Sequence, residues 1–186
     1  MNRIAYILGT NHIYQRDDDL CEPGSVDAFI EYLDSVCQSQ GINAIAEEMS
    51  ISALHDFKRT ESIPAKFAST HGKSHKYCDP DRAEQARLGI REAHVVRYDA
   101  REKHLSEEQI TQLVWEEDLK REPYWLCKVQ ELNVWPLLFI CGSDHLKSFT
   151  QLLSTIATAV HVAHQNWSPN TAPLSLNVMH LRGHSS

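Results

Sequence analysis

The chain predicts a single α/β domain with a central, largely parallel sheet flanked by helices, and three observations carry that prediction. Residues 3–8, 42–46 and 135–141 are short, nearly unbroken apolar runs, as in strands buried on both faces. The stretches between them repeat apolar residues at helical spacing. The first connection, strand to helix to strand with tight turns, has the form of a β-α-β unit, which sets its two strands side by side and parallel. At 186 residues the length suits one ordinary domain, read as 1–165 with a C-terminal tail at 166–186.

Element by element, the first strand stops at Gly9. Ser25 then caps a helix bearing Val26, Phe29, Ile30, Leu33 and Cys37 on one side, and Gly41 closes it. The second strand ends at Glu47, and 51–58 reads as a short helix. Residues 59–78 are polar and without clear periodicity, which reads as a long functional loop or lid. The segment from Lys58 to Tyr77 carries a net charge of +4 against −11 for the rest, so such a flap would guide an anionic substrate. Asp79-Pro80 starts a helix that Gly89 ends, and 94–98 reads as a strand.

Ser106 and Gln109 form a capping box for a helix carrying Ile110, Leu113 and Val114. At the same spacing the stripe turns charged at Glu117 and Arg121. Pro123 then breaks the pattern before helix resumes over 124–133. The strand at 135–141 is the clearest, and a last helix follows from Asp144 through Phe149, Leu153 and Val160, taking in His161 and His164. In the tail, 174–179 reads as an edge strand.

Composition removes several function classes. A formal charge of −7 argues against a protein whose task is gripping a phosphate backbone, so no nucleic-acid partner is expected. The longest apolar run is far too short to span a bilayer, and the N-terminus lacks a secretory pattern, so no membrane association and a cytoplasmic address are expected. Five scattered cysteines without a C-x-x-C pair read as reduced structural thiols. The sequence is silent on the oligomeric state.

Eleven histidines are a surplus for this length, and two of them recur in one pattern. The first strand runs into Gly9-Thr10-Asn11-His12, the second into Glu47-Glu48, and the strand at 135–141 into Gly142-Ser143-Asp144-His145. In parallel α/β sheets ligands bind beyond the carboxyl ends of the strands, so these loops are expected on one rim. Two imidazoles and a carboxylate suit two chemistries. They can hold a divalent metal such as Mn, Co or Zn through His12, Glu47 and His145. Alternatively, a histidine acts as general base with Glu47 orienting it and Arg121 stabilising an oxyanion. Glycine at 9 and 142 lets the chain leave each strand sharply beside a ligand.

With those residues assembled, the chain resembles the superfamily that groups TraB-like proteins, Tiki metallopeptidases, erythromycin esterases and ChaN-like haem-binding proteins. "LGTNH" is similar to its first G-x-x-H, "AIAEE" to its strand-end glutamate, which points to Glu47 with Glu48 as the substitute, "KREPYWL" to its Arg-acidic helix motif, and "LFICGSDH" to its second G-x-x-H. The resemblance implies a hydrolytic site on an α/β fold, often metal-dependent, with His12, Glu47, Arg121 and His145 catalytic. Glu48, Glu122 and Asp144 are expected to touch a small-molecule or peptide substrate. The alternative it carries is a binding protein that ligates haem or another small molecule without turnover. Pro123, inside the arginine motif, is expected to threaten the placement of Arg121 and Glu122.

Overall fold

The structure is a computed structural model that describes residues 2–171. It contains a five-stranded, all-parallel sheet in the order β3-β2-β4-β1-β5. The strands are β1 (Ile4–Thr10), β2 (Ala44–Glu47), β3 (Ser74–Tyr77), β4 (Leu137–Gly142) and β5 (Ala159–Trp167). β1, β2 and β4 are buried along almost their whole length, which is why they appear as unbroken apolar runs.

Side chains alternate between two cores. Tyr6, Leu8, Ile45, Leu138 and Ile140 face α2 (Ser25–Ser39) and α4 (Ile63–Thr70), packing on Phe29, Leu33 and Phe67. Ala5, Ile7, Ala44, Ala46, Phe139 and Cys141 face the other way, toward α8 (Glu122–Leu132) and α9 (Leu146–Leu153), packing on Trp125, Val129, Phe149 and Leu153. Each large apolar side chain withdrawn this way contributes about 1.5–3 kcal/mol before entropy is counted.

The connectivity creates the rim. β4 lies between β1 and β2, so the first β-α-β unit does not pair its own strands as the sequence suggests. The helix after β1 covers one face and the helix after β4 covers the other. The carboxyl ends of these adjacent strands therefore flank a topological switch point, where open α/β sheets leave a crevice.

Several expected elements differ. The expected loop 59–78 contains α4 and β3: Ser62 caps α4, accepting from the Ala65 N–H, and Pro64 sits in its first turn. β3 lacks the apolar run of a core strand because its four residues, Ser-His-Lys-Tyr, are polar or half-buried at a sheet edge. Three of the five basic residues of 58–77 are engaged in the fold. Arg59 donates to the Asp17 carbonyl, Lys73 to the Ile42 carbonyl at 2.7 Å, and Lys76 pairs with Glu131 at 3.1 Å.

The expected strand 94–98 belongs to α6 (Ala93–Glu102), where Val96 and Ala100 face inward at helical spacing. The helix after Asp79-Pro80 is α5 (Arg82–Leu88), capped by Asp81 and closed by Gly89 at φ +67°. α9 stops at Leu153, and residues 159–167, including His161 and His164, form β5 against β1. β5 crosses the expected 165/166 boundary, while the expected strand 174–179 lies outside the described residues. Among the described residues, no helix is long and apolar enough to cross a membrane.

Gly9 sits where β1 passes β5 through a register irregularity. A Cβ there would collide with the Gln165 backbone carbonyl and stand 2.9 Å from Leu146 Cδ1. Gly9→Ala is expected to destabilise the fold by about 1–3 kcal/mol, the range for overpacking. The midpoint of urea unfolding measures it, and an unchanged midpoint would contradict this packing.

Candidate functional site

A polar cleft of about 470 Å³ opens at the switch point, lined by Thr10, Asn11 and His12 after β1, Glu48 after β2, and Gly142 to His145 after β4. Trp115, Asp118 and Arg121 close it from the helical side, and Asn166 of β5 from the far edge.

His12 begins α1 (His12–Arg16), where Asn11 caps the helix by accepting from the Ile13 N–H at 3.1 Å. His12 Nδ1 lies 2.7 Å from Gln15 Oε1, and its Nε2 is 3.5 Å from Glu48 Oε1. On the other side of that carboxylate, His145 Nε2 lies 3.8 Å from the same oxygen. Glu48 Oε2 accepts from the Gly142 N–H at 2.8 Å. A Cβ at position 142 would stand 3.3 Å from His12 Nε2, so any larger residue there would press on the imidazole.

His145 lies in a short 3-10 turn, 143–145, and is held from behind. Its Nδ1 donates to Glu122 Oε1 at 2.9 Å, Ser148 donates to the same oxygen at 2.5 Å, and Trp115 and Trp125 pack on the ring at 5.0 and 4.8 Å. A carboxylate behind Nδ1 leaves Nε2 as the nitrogen that faces Glu48. His145 is 6 % exposed, whereas the His12 side chain is 33 % exposed and is the imidazole within reach of a bound molecule.

The expected carboxylate is displaced by one residue. Glu47 is fully buried outside the cleft, where it accepts from Gln15 Nε2 at 3.0 Å, His75 Nε2 at 2.9 Å and the Ser62 hydroxyl. Glu48 occupies the position between the histidines. Alternation at the strand end explains the exchange. Glu47 shares the parity of Ile45 and faces the α2/α4 side, whereas Glu48 shares that of Ala46 and faces α8 and α9.

Pro123 does not disturb the arginine motif. It occupies the first turn of α8, where its missing N–H costs nothing, so Arg121 stands at the break between α7 (Glu107–Leu119) and α8. Arg121 Nη1 is 3.5 Å from Asp79 and Nη2 is 3.9 Å from Asp118, while its buried Nε makes no hydrogen bond. Glu122, expected against substrate, instead supports His145 from behind. Asp144 lines the cleft and is exposed.

Asp79, Asp118, Trp115, Gln15 and Asn166 join the site without having been expected there. Gln15 was open to discovery, since it lies three residues after His12 on one helical turn. Asp79 was hidden with the strand it follows, and Asn166 with the misread β5.

The electrostatics follow from burial and pairing. Burial opposes the charge on His12, but the Glu48 carboxylate and the hydrogen bond to Gln15 outweigh it and push His12 up to about 9. Burial likewise opposes the charge on Glu48. His12, His145 and the Gly142 N–H outweigh that penalty and hold Glu48 at about 2. His145 is raised, burial being overcome by Glu122 and Glu48. Asp79 is pushed up to about 6 by burial, with Arg121 opposing.

Imidazole and carboxylate are donors that a divalent ion accepts. However, Glu48 meets its two histidines as ion pairs, and among the described residues no group of three or more His, Cys, Asp or Glu side chains is arranged to hold a metal ion. The expected set of His12, Glu47 and His145 is not assembled, because Glu47 faces away. The cleft as built is a buried carboxylate between two imidazoles, next to a guanidinium: groups that can move a proton and stabilise a negative charge.

Neither family models, nor curated proteins, nor solved structures give a match to this chain.

The raised His12 and lowered Glu48 fix a pH window. The His12 contribution to stability is full below about 6.5 and is lost as pH climbs through about 9. The Glu48 contribution is full above about 4.5 and is lost as pH falls through about 2. The stability difference between wild type and Glu48→Gln is therefore expected to peak between pH 4.5 and 6.5 and to shrink in both directions. Urea unfolding across pH measures it; a difference that stays flat up to pH 9 would contradict the pairing.

Proposed function

We propose that the cleft hydrolyses an ester, peptide or related carbonyl compound, in the manner of the TraB, Tiki and erythromycin esterase superfamily that the sequence resembles. The observation that carries the proposal is Glu48, buried at a switch-point crevice between the imidazoles of two G-x-x-H segments, with Arg121 beside them.

His12 is the general base. Its Nε2 takes a proton from water as the oxygen attacks the substrate carbonyl carbon, and the imidazolium so formed is stabilised by Glu48. Arg121 stabilises the negative charge that develops on the carbonyl oxygen. When the carbon–oxygen or carbon–nitrogen bond breaks, the leaving group takes the proton back from His12. Glu48 orients His12, and His145 with Glu122 holds Glu48 in place from the opposite side. No step is assigned to a metal, because the donor set is not arranged for one.

The test is hydrolysis by the purified protein of a panel of esters, peptides and phosphorylated compounds, with and without Mn(II). His12→Ala is expected to lower kcat/KM by about 10²–10⁴-fold, the usual worth of a positioned base. Wild-type kcat/KM is expected to rise from pH 7 towards about 9 as His12 gives up its resting proton. A rate indifferent to His12→Ala, or one strictly dependent on Mn(II), would overturn this mechanism.

A further inference from the structure

We infer that Gln15, backed by the buried Glu47, is a positioning residue that fixes which nitrogen of His12 carries the proton. The steps follow from donor and acceptor parity. Ser62 Oγ accepts from the Ala65 N–H at the start of α4, so its own hydroxyl proton goes to Glu47 Oε1. His75 Nε2, on β3, donates to the same oxygen at 2.9 Å. Glu47 Oε2 remains, and the Gln15 side-chain NH₂ donates to it at 3.0 Å.

A carboxylate only accepts, so the Gln15 amide has one orientation. Its NH₂ faces Glu47 and its Oε1 faces His12 Nδ1 at 2.7 Å. An amide oxygen also only accepts. Nδ1 must therefore carry hydrogen, and the lone pair of neutral His12 is left on Nε2, the nitrogen directed at Glu48 and the cleft. Reversing the amide would set its oxygen against the Glu47 carboxylate inside the protein, where unsatisfied polar groups are expensive. Glu47 thus acts on the site through Gln15 without touching the cleft, a role separate from which bond is cut there.

The tautomer is observable without substrate. In long-range ¹H–¹⁵N spectra of ¹⁵N-histidine-labelled protein at about pH 10, above the value of about 9 at which His12 loses its extra proton, wild type should show hydrogen on Nδ1 and none on Nε2. The signal is assigned by its loss in His12→Gln. Gln15→Leu removes the acceptor at Nδ1 and leaves the Glu48 carboxylate as the acceptor facing the ring, so hydrogen should move from Nδ1 towards Nε2.

The exchanged pair Gln15→Glu with Glu47→Gln keeps every donor facing an acceptor, so it should keep hydrogen on Nδ1. Hydrogen on Nε2 in the wild type, an unchanged spectrum in Gln15→Leu, or an averaged tautomer in the folded exchange variant would each overturn the inference. Where either variant fails to fold, the wild-type spectrum decides. A failed hydrolysis screen leaves this result untouched, and the wrong tautomer leaves the screen to be judged on its own.

Discussion

A carboxylate withdrawn from water must be surrounded by donors or give up its charge, and Glu48 is the place where this chain meets that demand. It is 7 % exposed, and what compensates its burial arrives from two distant parts of the sequence: His12 after β1, and His145 with the Gly142 N–H after β4. These groups are in turn constrained. Gly142 packs closely against His12, His145 is held by Glu122, and Glu122 is delivered by a helix whose first turn tolerates Pro123. Satisfying one buried charge thus explains much of what the rim contains.

Glu47 and Glu48 divide the work by facing opposite ways. Glu47 ties together α1, α4 and β3 through Gln15, Ser62 and His75. Glu48 ties together the ends of β1 and β4. Two adjacent acidic residues at a strand end therefore lock the two faces of the sheet separately, and His12 is the group that both networks reach.

The strands buried on both faces were legible because their apolar runs admit little else, and their polar endings followed from the rule for parallel sheets. The choice between Glu47 and Glu48 was not legible. It depends on where β2 stops, and strand ends are uncertain by more than the single residue that reverses a side chain. β3 and β5 were missed for a related reason: an edge strand needs fewer apolar residues, and Ser-His-Lys-Tyr or a run containing His161 and His164 satisfies its ladder without the pattern of a core strand. The segment expected as a strand at 94–98 is helical, and of its two adjacent valines only Val96 is buried.

The insertion of β4 between β1 and β2 also bears on how the chain is born. Among the described residues, β1 and β2 form no ladder with each other, and each pairs with β4 instead. A nascent chain that has emerged only as far as residue 134 lacks the strand through which both β1 and β2 pair in the folded protein. Arrival of β4 joins the halves and delivers His145 in the same event. The cleft is complete only once the segment that carries β4 and His145 is present.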